Sequence, residues 1–128
     1  MAIQRISGGS KFEDIIGYSR VVVDQGLVTV SGTAGFDYSD GSIAEDVAAQ
    51  ARQAFLNLTD YLSKANCTLA DIVRATVILT DAAEWEAIVP VIGENFQSVK
   101  PALTAFVAGL VDPRMKIEIE VAARQPTE

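Results

Sequence analysis

Histidine is absent from the 128 residues, cysteine occurs once, and no apolar run approaches the roughly 20 residues needed to cross a bilayer. Without histidine the chain lacks the commonest general base, the Ser-His and Cys-His nucleophile pairs and the usual zinc ligand. Any catalysis then falls to carboxylates, Tyr, Lys, Arg, backbone groups or bound water, and neither a metal site nor a cofactor is expected. A single cysteine cannot close an intramolecular disulfide. A reactive thiol needs a cation beside it, and Cys67 follows Ala65-Asn66 at a predicted helix end with none in view, so its expected role is structural. The N-terminus lacks the basic-then-apolar pattern of a secretory signal, and together with the lone cysteine this points to a reducing cytoplasm. Basic runs are missing too. Seventeen acidic against ten basic side chains leave a formal charge of -7, the wrong sign for displacing counterions from phosphates, so no nucleic-acid partner is expected. No membrane association is expected either.

What is present is a length and an apolar content, 49%, sufficient for one core without disulfide or metal support, and residues 1–128 are expected to form a single domain. Residues 20–23 and 27–31 are β-branched runs separated by Asp24-Gln25-Gly26, the pattern of a hairpin. After a polar loop at 33–41, Ser42-Ile43-Ala44-Glu45 has capping-box spacing and predicts the start of a long helix. Its apolar stripe is Val47, Ala51, Ala54, Phe55, Leu58 and Leu62, with Arg52, Gln53, Asn57 and Asp60 largely outside it. The helix is expected to stop near Ala65, where Asn66 can turn left-handed.

Residues 72–79 read as a strand that is apolar on both faces, with Val73, Ala75, Val77 and Leu79 on one and Ile72 and Ile78 on the other. A second helix follows Asp81 and Glu84, with Trp85, Ile88, Ile92 and Phe96 as its stripe. Pro90 either kinks this helix or delays its start to about residue 88. Strands at about 103–108 and 115–122 end the chain. In the last, Met115, Ile117, Ile119 and Val121 point one way and Lys116, Glu118 and Glu120 the other. The fold class is therefore α+β, in the order β-β-α-β-α-β-β, with two helices on one face of a mixed sheet. Two helices cover one sheet face only, so the apolar residues expected on the other would favour self-association at about 25 cal/mol per Å² buried.

Several ordered segments carry a resemblance. Ile16-Gly17-Tyr18-Ser19, Ser31-Gly32, Gln50-Ala51-Arg52-Gln53-Ala54 with Asn57-Leu58, Leu79-Thr80-Asp81, Pro101-Ala102 and Lys116-Ile117-Glu118-Ile119-Glu120 together resemble the YjgF/RidA superfamily from about residue 16 to 122. The resemblance implies a chorismate-mutase-like fold and a homotrimer whose small-molecule ligands sit in clefts between subunits. In the deaminating members it also implies an Arg after the Pro-Ala pair that clamps a substrate carboxylate, a water-positioning Glu corresponding to Glu118, and an early Tyr corresponding to Tyr18. Here Leu103 stands where that Arg is expected, and Val89 and Ala105 stand where the family often has Asn and Cys. An aliphatic side chain cannot reproduce a bidentate guanidinium. The chain thus looks like a member of an Arg-lacking subgroup.

Glu118 shares its face with Glu120 and Lys116. It is either a water-activating carboxylate or part of a solvated polar face, whereas Glu120 is read as structural. Tyr18 and Gly32 line the implied cleft or serve the chain's own folding. Leu103, Thr104 and Ala105 would line the same cleft and make it less polar, favouring neutral or less acidic ligands. Arg20 and Arg114 are candidates for a displaced cation, although a solvated surface charge is the simpler reading of each. Two functions follow: a homotrimer that hydrolyses a small enamine, imine or related C–N metabolite with Glu118 orienting water, or a non-catalytic trimer that binds a metabolite in the same clefts. A nuclease or translation-inhibitor role, suggested by some relatives' descriptions, fits poorly with the acidic charge and the lack of histidine.

Overall fold

The computed structural model describes residues 2–127. Its main sheet has six strands: β1 (Gln4–Ile6), β2 (Val21–Asp24), β3 (Leu27–Ala34), β6 (Ile72–Leu79), β7 (Ala102–Val107) and β8 (Ile117–Arg124). A two-stranded ribbon, β4 (Phe36–Asp37) with β5 (Ser42–Ile43), lies between β3 and the first helix, α1 (Val47–Ser63), and α2 (Trp85–Phe96) joins β6 to β7. The strand order is β1-β2-β3-β8-β6-β7. Only β6 and β7 run parallel among the paired strands of this sheet, so the sheet is mixed and the fold α+β. Because β8 is antiparallel to both β3 and β6, those two strands run the same way, and α1 crosses from one to the other as α2 crosses from β6 to β7. Both crossovers move in the same direction across the sheet, and right-handedness then puts both helices on one face.

The hairpin is closed by Gln25 and Gly26, both at positive φ (51° and 83°), the conformation that matches strand twist. Asn66 is left-handed at φ 60° beyond the end of α1, as expected. Inward-facing Val28, Val30, Val77, Leu79, Ile117 and Ile119 meet Ala51, Leu58, Leu62, Ile88 and Val91. Phe55 and Phe96 pack edge-on at 5.2 Å between the helices.

The structure changes five expectations. First, α1 begins at Val47 and not at Ser42, because Asp40 Oδ1 accepts from both the amide and the hydroxyl of Ser42 in the ribbon turn and Asp46 caps the helix through the Ala49 amide. Second, Asn57 is buried. Its Nδ2 donates to the carbonyls of Ala34 and Phe36, tying α1 to the end of β3. Third, the pairing of β6 with β8 shifts between Ile72 and Arg74. This bulge carries Ile72 into the core and leaves Val73 exposed. The open face of β6 is then Val73, Arg74, Thr76 and Ile78, with Val73 taking the place expected for Ile72. Fourth, Trp85 is partly exposed at the start of α2 and outside the core. Fifth, α2 starts at Trp85 and contains Pro90, so the delayed start near residue 88 is excluded; the ring lies on the solvent side, where water can satisfy the carbonyl left without a donor. Strand β1 and the β4–β5 ribbon are additions to the expected order. Among the described residues no helix is long and apolar enough to cross a membrane.

Gln50 is fully buried and joins the two halves: Nε2 donates to the carbonyls of Ala44 and Arg114, and Oε1 accepts from the Lys116 amide at the entry to β8. This contact requires a glycine at 35, where a Cβ would lie 2.7 Å from Gln50 Cα. Gly35→Ala is expected to push α1 away from β3 and lower stability by roughly 1–3 kcal/mol, and Gln50→Ala by a similar amount through its orphaned backbone partners. Urea denaturation monitored by circular dichroism checks both.

Candidate functional site

The sheet order decides which predicted site residues can meet. Gly32 and Glu118 meet at the paired upper ends of β3 and β8, and Tyr18, on the segment entering β2, is linked to them through Arg20. The pairing of β3 with β8 is irregular between Val30 and Thr33, and Gly32 lies in that irregularity. The Glu118 carboxyl group rests directly against it: a Cβ at position 32 would come within 2.8 Å of Glu118 Cδ and 2.9 Å of Oε2. Gly32 is therefore required for close approach of a side chain.

Arg20 joins this cluster and corrects the surface-charge reading, since it is 9% exposed. Its Nη1 donates to the carbonyls of Gly32 (2.7 Å) and Ser31 (3.1 Å) and, at 3.5 Å, to Thr33 Oγ1, while Nη2 reaches Tyr18 Oη at 3.4 Å. The guanidinium lies 5.2 Å from the ring centre of Tyr61 and 5.6 Å from that of Tyr18, within cation–π range. Strand alternation, with Val21 and Val23 inward, predicts position 20 outward. The irregularity at the end of β3 overrides that rule and opens room for a long side chain.

Burial pushes the Glu118 carboxyl above the usual glutamate range, the positive charge of Arg20 works against that rise, and Glu120 adds to it. Nearby Glu13, buried beneath the Gly8–Ser10 loop, behaves oppositely. Its own burial would raise it, but hydrogen bonds from the Gly8 and Ser10 amides and from Ser7, with the charge of Arg20, bring it below the usual range.

Within one protomer the other predicted residues lie elsewhere. Leu103, Thr104 and Ala105 are on β7, with β6 between it and β8, which places them roughly 10 Å from β8 at the usual strand spacing. Alternation also splits them. Leu103 and Ala105 share the helix-side face with Ala75 and Val77, whereas Thr104 faces the open side with Thr76 and accepts from Arg74 Nη2 at 2.6 Å. Arg114 is engaged by Asp112 through two side-chain bonds of 3.1 and 2.8 Å and lies over Phe36. Those hydrogen bonds draw the Asp112 carboxyl down to about 2. Cys67 is buried, and burial with the charge of Asp71 raises its thiol, in keeping with a structural role.

A cavity of about 330 Å³, lined by Leu79, Ala82, Trp85, Ala105, Phe106 and Val107, opens beside β7. Every lining side chain is apolar, and Trp85 was not singled out as a site residue by the sequence, since its spacing matched the core stripe. Phe106 connects this cavity to the carboxylate across the open face, because Phe106, Ile78 and Glu118 stand side by side on β7, β6 and β8.

The family model described as Endoribonuclease L-PSP matches residues 9–125. The chain is 32% identical over 125 residues to 2-iminobutanoate/2-iminopropanoate deaminase of Capra hircus and 31% identical to that of Homo sapiens, in each case spanning 96% of this chain and 91% of the relative. Among solved structures it resembles a Mycobacterium tuberculosis member of the YjgF/YER057c/UK114 family at 34% identity and TM-score 0.87, covering 96% of this chain and 99% of that one. Yeast Mmf1 shares the fold at 22% identity and TM-score 0.87, covering 98% and 100%.

The raised Glu118 carboxyl has a consequence for stability. Below the ordinary glutamate value of 4.5 the group is protonated both folded and unfolded, and its burial is not opposed by charge. As pH rises through the higher folded-state value, the fold must hold an ion that the unfolded chain holds more easily, and stability is lost. Glu118→Gln is expected to melt at a higher temperature than the parent at pH 7, with the gap closing below pH 4.5; thermal denaturation across pH measures it.

Proposed function

The chain belongs to the YjgF/RidA family, whose model carries the description endoribonuclease L-PSP, and from that premise we propose that it is a homotrimeric hydrolase of small, uncharged enamines or imines. The observation that carries this reading is the Glu118 carboxylate, half-buried against Gly32 with its proton affinity raised by burial. Such a group is a stronger proton acceptor than an ordinary glutamate and is placed to take a proton from water. An enamine first tautomerises to its imine. As the water oxygen bonds to the imine carbon, Glu118 takes one water proton, the nitrogen takes a proton from solvent, and a neutral carbinolamine forms. The proton held on Glu118 then passes to the nitrogen as the C–N bond breaks and ammonia leaves, while the hydroxyl proton passes to solvent and a carbonyl compound remains.

The mammalian relatives are named as deaminases of 2-iminobutanoate and 2-iminopropanoate, and the same C–N hydrolysis is carried over here as a reaction class. Substrate choice is where this chain is proposed to differ. Leu103 occupies the position of the expected carboxylate clamp, Arg114 is held by Asp112, and the cavity along β7 is lined by apolar side chains. This set favours substrates without a carboxylate. The endoribonuclease description finds less support, because a formal charge of -7 repels a phosphate backbone.

Two different apolar surfaces support the assembly. All of β7 is exposed along the sheet edge, including Phe106 at 47% and Val107 at 51%, while Ile15 and Ile16 stand 72% and 70% exposed on the turn that leads to Tyr18. Distinct patches at separate places on one chain suit a head-to-tail contact, which closes as a ring of three when successive copies are related by a 120° rotation. Such a contact would bring β7 of one protomer to the Tyr18–Glu118 cluster of the next.

Sedimentation equilibrium is expected to give three times the chain mass. Ammonia release is expected from enzymatically generated neutral enamines and to a smaller extent from 2-aminoacrylate, with Glu118→Gln reducing turnover about 100-fold or more. Leu103→Arg should shift preference toward 2-aminoacrylate. A monomer at micromolar concentration overturns the assembly, and no turnover on any of these substrates overturns the catalytic assignment in favour of a binding protein.

A further inference from the structure

The buried guanidinium of Arg20 is costly to desolvate, yet the one ion pair among the described residues is Arg114 with Asp112. Arg20 therefore meets neither Glu13 nor Glu118 directly. Its nearest partners are backbone: the Ser31 and Gly32 carbonyls, with Thr33 Oγ1 and Tyr18 Oη at the margin of hydrogen-bond distance. These are the residues of the β3 irregularity on which the Glu118 carboxyl rests. Two aromatic faces, Tyr61 from α1 and Tyr18, lie within cation–π range of the group. A residue so committed has little left with which to clamp a substrate, and its placement points to another task.

We propose that Arg20 is a positioning residue for Glu118: its fork fixes the Ser31–Thr33 backbone so that bare Gly32 receives the carboxylate, and it sets a buried positive charge beside that carboxylate. The inference rests on the reading of Glu118 as the group that orients water. The charged groups in position to influence Glu118 are few. Lys116 and Glu120 flank it on its own face of β8, β3 offers uncharged Gly32 and Ala34, β6 offers Ile78 and Thr76, and the segment before β2 offers Arg20 and the Tyr18 hydroxyl. Arg20 is thus the buried cation of the set, and burial is what makes its field felt through little screening. Glu13, held by the Gly8 and Ser10 amides, also feels the charge of Arg20, and Gly8 packs against the Arg20 stem, where a Cβ would come within 3.0 Å of Cγ. The Gly8–Glu13 loop is the seat in which the arginine is held.

The test reads the Glu118 side-chain carboxyl by carbon NMR across pH in the intact protein, a measurement that needs no substrate. Arg20→Gln is expected to move its titration midpoint upward by about one pH unit and to move the acid limb of kcat/KM on a neutral enamine by the same amount. Arg20→Lys keeps the charge but loses the planar fork, so the midpoint should stay within a few tenths of a unit while kcat falls about tenfold with KM little changed. A midpoint unmoved in Arg20→Gln overturns the charge role, and a parental kcat in Arg20→Lys overturns the positioning role. Should the glutamine variant not fold, the lysine variant decides alone, and a midpoint displaced upward there refutes the proposal. An active Glu118→Gln would instead overturn the reading of Glu118, leaving the titration result as it stands.

Discussion

Strand β8 is antiparallel to both of its neighbours, and the register in which it sits determines nearly everything else in the molecule. Ile117, Ile119, Val121 and Ala123 face the helices and are buried, while Glu118 and Glu120 face the other way. A slip of one residue would exchange the two sets, burying the acids and exposing the core. That register is held at its entry by Gln50, whose side chain accepts from the Lys116 amide and donates to the Arg114 carbonyl from the first turns of α1. A single buried amide therefore ties the placement of the helix to the placement of the carboxylate. The hydrogen bonds of Asn57 to the Ala34 and Phe36 carbonyls secure the opposite strand in the same way.

The carboxylate itself runs against the economy of folding. A glutamate pressed on a glycine and half withdrawn from water weakens the fold wherever it is ionised. Such locally unfavourable groups gather where chemistry is done. The surroundings offset part of that cost. Gly32 leaves the space, Arg20 supplies opposing charge, and Tyr61 and Tyr18 help to hold Arg20 in a place where a guanidinium would otherwise be poorly solvated.

Much of the chain was legible from patterns of apolar spacing. The middle strand was placed at 72–79 and is found there, the hairpin closes at the expected residues, and the strict alternation of the last strand puts Glu118 on the polar side. The misreadings share a cause, which is that tertiary contacts override local rules. Ser42 and Asp46 both offer a helix cap, and only the claim of Asp40 on Ser42 decides between them. Period-two alternation cannot show the bulge at Val73 that sends Ile72 inward and Val73 outward, nor the irregularity near Gly32 that lets Arg20 turn inward. Asn57 is polar and falls off the apolar stripe, so its burial is visible only once the carbonyls it serves are in place. The candidate site was legible in part for the same reason: Gly32 and Glu118 meet, with Tyr18 linked to them through Arg20, whereas Leu103, Thr104 and Ala105 lie on another strand and on both of its faces.

That separation bears on the proposal that the molecule assembles from several copies. The middle strand contributes Val73 and Ile78 to the open face, beside Arg74, Thr76, Glu118 and Glu120, while Ile72 belongs to the core. Further exposed apolar surface lies along β7 and on the Ile15–Ile16 turn. An edge strand with six exposed residues and a free row of backbone groups is a hazard unless something covers it, and here it borders the apolar cavity. The turn carrying Ile15 and Ile16 leads directly to Tyr18. If one surface covers the other, the cavity of one copy and the carboxylate of the next come to share a wall, and burying the hazard completes the site. A single physical requirement, concealing the β7 edge, would then account for both the assembly and the place where chemistry occurs.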